Sequence, residues 1–185
     1  MRFPALDQVA LPCTFEAVVP GKLHADGRRY LPLIVLRLAA AQGDGRAALL
    51  GVVDRHHVVD HALIGRSGVA RLVFLLSAVR LQDPPRQGFF AEPEALPDRP
   101  VTAPLAYGQV TAVHAWEAER QHLPYESLYT ELVLDVGRAT IGVRTSATAA
   151  SLAESIGKEQ ITPGDWLSVS RSRVDILGFE TTAQA

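Results

Sequence analysis

Prolines are concentrated in one short part of this chain. Six of the 12 prolines lie between residues 84 and 104, namely Pro84, Pro85, Pro93, Pro97, Pro100 and Pro104. Proline fixes φ and has no amide hydrogen, so a cluster of this density interrupts both helices and sheets. Residues 83–106 are therefore predicted to form a linker or extended arm between two domains, residues 1–82 and 107–185. Within the arm, Phe89 and Phe90 are expected to pack on a domain as a hydrophobic clip.

The composition is that of a folded protein without membrane-spanning segments. Hydrophobic residues make up 48% of the chain and charged residues 21%, which is ordinary for globular domains. The most apolar segment, residues 31–41, is interrupted by Arg37, and the amino terminus has no signal-peptide core. The single cysteine, Cys13, excludes an intrachain disulfide framework and a multi-cysteine zinc site. We therefore expect a cytoplasmic protein with no membrane partner.

Residues 107–185 carry the clearest strand pattern. Leu132 and Leu134 alternate with polar or smaller residues, as a half-buried strand requires. Ser146 is the predicted cap of a short helix, and the Pro-Gly turn of residues 162–165 leads into the last strands. The predicted elements, in order, are strands at 108–116, 128–136 and 139–145, a helix at 147–156, and strands at 166–170 and 174–180.

This order of three strands, one short helix and two strands resembles the OB-fold. That family consists of five-stranded, partly open barrels that bind oligonucleotides or oligosaccharides through one face and two loops. The resemblance covers residues 107–180, and it rests on the order of the elements and not on a diagnostic motif. It implies a binding protein.

The same stretch is also similar to the small molybdate-binding domains of the Mop/TOBE kind, which are OB-like barrels. The similar segments are residues 145–147, 162–167 and 172–177. Residues 171–173, Arg-Ser-Arg, depart from that family's pattern, as do extra residues between the helix and the turn. This similarity implies the alternative function, a protein-interaction or small-oxyanion-binding module.

Residues 1–82 repeat the same order of elements in a weaker form. The predicted elements are strands at 14–24, 30–40 and 46–53, a helix from an Asp54 cap to Ile64, and a strand at 71–81. A fifth strand is not obvious, and Phe89-Phe90 is the candidate for it. The predicted fold class is therefore mainly β, with two tandem OB-like small barrels that each carry one short helix.

A histidine-rich segment is the one candidate for metal or acid–base chemistry. On the predicted helix, His57 and His61 share a face, as do His56 and Asp60. Two ligands do not complete a site, and the Glu of the His-Glu-x-x-His pattern is absent. We predict a capped surface helix and no metal, although the sequence leaves metal binding by this segment open. Since no phosphate loop, dinucleotide fingerprint or nucleophile elbow occurs, we expect neither an enzyme nor a cofactor.

Arginines and aromatic residues of the second barrel form the predicted nucleic-acid site. Its residues are Tyr129, Arg138, Arg144, Trp166, Arg171 and Arg173. Positive charge beside aromatic platforms is the chemistry that single-stranded nucleic acid requires. Strand alternation places Arg144 and Trp166 on the outside of the barrel. The alternative is that Tyr129 and Trp166 close the barrel core while the arginines are solvated.

The charge distribution is uneven but mild. Residues 1–82 carry 10 basic and 6 acidic groups, whereas residues 107–185 carry 6 basic and 10 acidic groups. Phosphate neutralisation supplies most nonspecific nucleic-acid affinity, so the acidic second half weakens the nucleic-acid hypothesis. The expected partner is nonetheless single-stranded DNA or RNA, with another protein as the alternative. The sequence does not predict an oligomeric state.

Overall fold

The structure is a computed structural model, and it describes residues 6–38, 47–91, 99–115 and 130–182. Over these residues the protein is mainly β, which confirms that part of the predicted fold class, whereas the two tandem OB-like barrels stay a prediction. The strands are β1 (Leu11–Val19), β2 (Leu33–Leu38), β3 (Leu49–Val53), β4 (Ser67–Leu81), β5 (Gly88–Phe90), β6 (Leu105–Ala115), β7 (Thr130–Asp135), β8 (Thr140–Thr145) and β9 (Trp166–Thr181). The helix α1 (Ala149–Glu154) lies between β8 and β9, and 3-10 helices span Leu6–Gln8 and His61–Leu63.

The strand pairings close two rings. One sheet has the order β1-β2-β3-β9-β4-β8-β7-β6-β5, and β1 also pairs with β4 and β6 with β9. Ring one consists of β1, β2, β3, β9 and β4, and the β1–β4 pairing closes it. Ring two consists of β4, β8, β7, β6 and β9, and the β6–β9 pairing closes it. The strands β4 and β9 therefore belong to both rings.

The shared strands are the two longest in the described part of the chain. β4 has 15 residues and β9 has 16, and they pair antiparallel from Gly68 to Leu81 of β4. β3 runs parallel to β9, with Val53 opposite Asp175, and β8 runs parallel to the middle of β4. Three register shifts interrupt the β4–β9 ladder. Because such bulges increase local twist, they let the pair pass from ring one into ring two.

A single large hydrophobic cluster fills both rings. It includes Phe15 and Leu36 of ring one, Leu134 and Leu167 of ring two, and Phe74 of the shared strand β4, all of them fully buried. A second, small cluster around Val9, Val73 and Val133 lies on the opposite side of the sheet. The domain bounds 1–82, 83–106 and 107–185 stay a prediction. The pairings show that each ring is completed by a strand from the other half of the chain: ring one by β9, and ring two by β4.

The proline-rich segment contributes to the sheet at both of its ends. Phe89 of β5 is buried and its ring stacks on Phe74 at a centroid distance of 6.0 Å, so the predicted hydrophobic packing is confirmed for this residue. Val101 exchanges backbone hydrogen bonds with β3. The suggestion that Phe89-Phe90 supplies a fifth strand to the first half is wrong, because β5 pairs with β6 and ring one takes its fifth strand from β9. Residues 92–98 lie outside the described residues.

The helices are shorter than their sequence patterns predict. The predicted helix from Asp54 to Ile64 is wrong, since only His61–Leu63 form a 3-10 turn. The buried Asp54 carboxylate instead accepts the amide hydrogens of Val58 and Val59, which folds the segment into a tight loop. α1 is present, but it begins after a Thr148 cap, not after Ser146. No helix in the four described ranges is long and apolar enough to cross a membrane.

Candidate nucleic-acid interface

The predicted site residues do not form one cluster. Arg138 lies in the exposed turn between β7 and β8, and Trp166 opens β9 near the same end of ring two. Arg144 and Arg173 lie at the other end of ring two, where they flank Leu75 of β4 on its two neighbouring strands. Arg171 lies in the middle of β9. Tyr129 lies outside the described residues.

Arg144 points away from the ring core, as strand alternation predicts, but its guanidinium is not free in solvent. Its Nε donates to Glu131 Oε1 at 2.6 Å, and its Nη2 lies 2.5 Å from the same oxygen. The Arg144 side chain is 15% exposed and that of Glu131 only 2%. A nucleic-acid phosphate would therefore have to compete with a buried carboxylate for this arginine.

Arg171 and Arg173 also bond within the protein. Arg173 makes a bidentate ion pair with the buried Asp175, with Nε–Oδ1 and Nη2–Oδ2 distances of 2.6 and 3.0 Å. Arg171 donates from Nε to the carbonyl oxygen of Thr102 at 3.2 Å. The Arg173 contact lies within β9, and the Arg171 contact links β9 to the segment before β6. Both arginines therefore stabilise contacts within the protein, and a role in ligand binding stays a prediction.

A different surface combines accessible arginines with aromatic rings. It lies on the outer side of β5, β6, β9 and β4, and we call it the Arg–aromatic face, defined by Arg80, Arg86, Phe90, Tyr107 and Trp166. Strand alternation produces it, because the residues between these positions turn inward. The buried inward residues are Phe89, Ala106, Leu167 and Val169.

The strand register places these residues beside one another. Tyr107 of β6 lies opposite Ser168 of β9, which in turn lies opposite Arg80 of β4. Trp166 lies opposite Gln109, two residues along the same strands. Directly opposed side chains on one face of a sheet are about 5 Å apart at Cβ, so this is a continuous surface.

Arg86 stacks on two of the rings. Its guanidinium carbon lies 3.6 Å from the centroid of the Tyr107 ring and 4.8 Å from that of Phe90. Phe90 and Tyr107 contact each other edge to face, with centroids 5.1 Å apart. Gln82 holds the loop in place, because its side chain accepts from the Arg86 amide and donates to the carbonyl oxygen of Leu167. Arg86 is exposed and forms no ion pair with a carboxylate in the described ranges.

Trp166 lies next to a carboxylate that is already neutralised. Asp165 pairs with Lys158, and its other oxygen accepts the amide hydrogen of Thr162 at 2.8 Å. Burial raises the pKa of Asp165, but the hydrogen bonds from Lys158 and Thr162 outweigh burial and hold that pKa below its usual value. Asp165 therefore adds little net repulsion for an anionic ligand beside Trp166.

Arg86, Tyr107 and Arg80 are candidate site residues that the sequence pattern does not indicate. Tyr107 falls at the predicted edge of the linker, and Arg86 lies inside it, so neither was assigned to a strand surface. The available signal was the alternation of Tyr107 with the small residues Ala106 and Gly108, which is typical of a strand with one closely packed face. The stacking of Arg86 on Tyr107 is a tertiary contact that no local pattern contains.

The histidine-rich segment does not form the geometry that a metal site requires. His56, His57 and His61 are exposed, and the i, i+4 relation does not apply because the segment is not an α-helix. Asp54 and Asp60 both accept backbone amide hydrogens. Within the described ranges, no three His, Cys, Asp or Glu side chains lie together as a metal-binding group.

The segments that resemble the molybdate-binding domains use their donors internally. The amide and hydroxyl of Thr162 face the Asp165 carboxylate, and Thr145 Oγ1 accepts the amide hydrogen of Ala147. Oxyanion recognition requires donors that are available to the ligand. The Thr162 turn offers its donors to the chain's own carboxylate.

Comparisons of this chain with protein-family models, with curated proteins and with solved structures gave no match.

Proposed function

We propose that this protein is a non-enzymatic binding protein that holds single-stranded DNA or RNA on the Arg–aromatic face. The observation that carries the proposal is the stack of Arg86 on Tyr107 and Phe90, on the same outer surface as Trp166 and Arg80. In this proposal each ring is an OB-like barrel whose fifth strand comes from the other half of the chain. We further propose that the protein acts in the cytoplasm.

The aromatic part of the face suits bases. Tyr107, Phe90 and Trp166 are half-buried residues whose positions the sheet fixes, and the Arg86 guanidinium lies over the Tyr107 ring. Stacking of one base on a protein aromatic ring contributes about 1–3 kcal/mol, and it tolerates every base because each has a π-face. Bases can stack on Trp166 and on the guanidinium plane of Arg86 above Tyr107, and such stacking favours a single strand with unpaired bases over a duplex.

The cationic part of the face suits phosphates. Arg80 and Arg86 are exposed, and neither bonds to a carboxylate in the part of the chain that the structure describes. A guanidinium that already lies over an aromatic ring is ordered, so less side-chain entropy is lost when it contacts a phosphate. In contrast, Arg144 and Arg173 are ion-paired with buried carboxylates. The proposal therefore relies on the first pair of arginines.

Fluorescence anisotropy with labelled single-stranded oligonucleotides at two salt concentrations tests the proposal. We expect binding that weakens as salt rises, because phosphate contacts release counterions. Trp166→Ala should weaken binding by about 1–3 kcal/mol through the loss of one stacking ring. Tyr30→Ala is the matched control, since Tyr30 is an exposed aromatic residue on a loop of ring one, and it should bind as the wild type does.

Absence of binding at low salt would contradict the proposal. An equal loss in Trp166→Ala and Tyr30→Ala would also contradict it, because the affinity would then not depend on this face. Thermal melts of both variants show whether the fold is intact. If Trp166→Ala unfolds, Arg86→Ala provides the test instead, since the exposed Arg86 is removed at small cost in stability.

A further inference from the structure

Two loops leave ring one at the same end of its strands. The first is the hairpin loop of residues 20–32, which joins β1 to β2, and the second is the loop of residues 54–66, which follows β3. Val19 at the end of β1 lies opposite Leu33, and Leu33 lies opposite Val53 at the end of β3. We call these two loops, with Val19, the loop end of ring one.

The loop end holds nearly all of the exposed large apolar side chains that the structure describes. Seven such residues are exposed, and six of them are Val19, Leu23, Tyr30, Leu31, Val58 and Ile64. Only Leu81 lies elsewhere. Leu23 and Tyr30 are the most exposed, at 61% and 58%. Single exposed apolar residues are ordinary, but a cluster of them at one end of a molecule indicates a binding surface.

The loop end is also cationic. Its basic residues are all exposed, and they are Lys22, Arg28, Arg29, Arg55 and Arg66. Of its three carboxylates, that of Asp54 is buried, and those of Asp26 and Asp60 accept backbone amide hydrogens of Arg28 and Ala62. The surface therefore presents positive charge together with apolar side chains.

The hairpin loop is ordered by its own contacts. The amide of Tyr30 donates to the carbonyl oxygen of Lys22 at 2.9 Å, and the rings of His24 and Tyr30 lie 3.7 Å apart between centroids. Gly27 has φ of 82°, which lets the chain reverse at the tip. Every residue from Lys22 to Leu31 is exposed, so the loop projects from ring one as a preformed, convex tip.

We propose that the loop end of ring one docks on the surface of an anionic lipid membrane. Leucine, valine and isoleucine at a convex tip insert into the boundary between headgroups and acyl chains, and tyrosine is favoured at that depth. Basic residues beside the tip are attracted to the negative surface potential of anionic headgroups. A fluid lipid surface adapts to a convex tip, whereas a protein partner would need a matching cleft. The expectation of no membrane partner rests on the absence of long apolar segments, which spanning requires and surface docking does not.

Vesicle co-sedimentation of the full chain tests this docking. The probes are vesicles of phosphatidylcholine with about one-third phosphatidylserine, and vesicles of phosphatidylcholine alone. The protein should sediment with the anionic vesicles and not with the neutral ones. Lys22→Ala with Arg28→Ala should lower partitioning on the order of tenfold, and Leu23→Ser with Tyr30→Ser should abolish it.

Matched controls separate this docking from general charge and from the nucleic-acid site. Arg99→Ala removes an exposed cation near the other end of β3, and Leu81→Ser removes the exposed apolar residue of ring two. Both should partition as the wild type does, and so should Trp166→Ala even if it loses oligonucleotide binding. Absence of sedimentation with anionic vesicles would overturn the proposal, and so would an equal loss in loop variants and controls. Circular dichroism melts show that each variant is folded.

Discussion

Glu131 and Arg144 form a buried ion pair on neighbouring strands, and this contact gives Arg144 a structural role. The two residues are direct cross-strand partners on β7 and β8, and the carboxylate is almost fully buried. Burial of a carboxylate is costly, and the ion pair with Arg144 offsets part of that cost. The ion pair therefore explains why an arginine occurs on the outer side of β8 without reference to a ligand.

Arg144→Ala should lower the free energy of unfolding by about 3–5 kcal/mol, because the buried Glu131 carboxylate would lose its ion pair with this guanidinium. Arg138→Ala is the matched control, since Arg138 is exposed in the adjacent turn, and it should change stability by less than about 0.5 kcal/mol. Urea denaturation of the three proteins measures both effects. Adding Glu131→Gln to Arg144→Ala should recover part of the loss, and no recovery would refute the explanation.

The reactivity of Cys13 also depends on the residues that surround it. Burial raises the pKa of its thiol to about 12, although a backbone hydrogen bond involving Ala70 acts in the opposite direction. Thiolate is the reactive form of cysteine, so Cys13 should not react with a thiol reagent at neutral pH in the folded protein. A colorimetric thiol assay checks this, with full reaction expected in denaturant. Rapid reaction of the native protein would show that the site opens readily.

The strands could be predicted from the sequence better than the pairings between them. Alternation located β7 and β8 and turned Ile141 and Val143 inward, and both residues are buried in the core. β9 was predicted as two strands, at 166–170 and 174–180, but it is one strand of 16 residues. No glycine or proline interrupts it between Asp165 and Ile176. What changes along β9 is its partner, from β6 to β3, and a change of partner leaves no local signal.

The loop after β3 shows a second limit of sequence patterns. Asp54 stands before a mixed run of polar and apolar residues. An aspartate in that position is consistent with a helix cap, and it is equally consistent with a tight turn. The structure selects the turn, with His57 in the left-handed region at φ of 51° and Val59 buried in the core. Tertiary packing of Val59 decides between the two local options, so the sequence alone could not.

The turn before β9 should make stability depend on pH. Since the pKa of Asp165 is lowered on folding, its contacts stabilise the protein above the ordinary Asp pKa, and this contribution is lost as pH falls through the lowered value. Asp165→Asn should therefore cost about 1–2 kcal/mol near neutral pH, and the difference from wild type should shrink below about pH 4. Denaturation at several pH values measures it. The exposed Glu159→Gln is the control, and a pH-independent difference for Asp165→Asn would contradict the assignment.

The two rings depend on each other for their strands. Ring one takes β9 from the carboxyl-terminal stretch, and ring two takes β4 from the amino-terminal stretch. The sequence of the first half predicts four strands and no obvious fifth, and this exchange explains why, because the fifth strand of ring one is β9. A fifth strand that is remote in sequence cannot be found by a search along the neighbouring residues.

Cleavage of the chain between the rings should not separate them. If a protease site is introduced between residues 92 and 98, cleavage should leave two fragments that elute together in native size-exclusion chromatography, because the β4–β9 ladder holds them. The fragments should separate only in denaturant. Elution of two separate folded fragments without denaturant would show that the halves are independent domains.

We propose that a single strand lies across the outer surface of β5, β6, β9 and β4, and photo-cross-linking can locate it there. A single-stranded oligonucleotide that carries bromouracil is irradiated with the protein, and the adducts are mapped by mass spectrometry. Stacked bases should cross-link to Tyr107, Trp166 or Phe90, and Arg86→Ala should reduce the yield. Adducts confined to residues 20–32 or to other segments outside this face, or no adducts at a protein concentration that saturates binding, would show that the strand does not bind on this face.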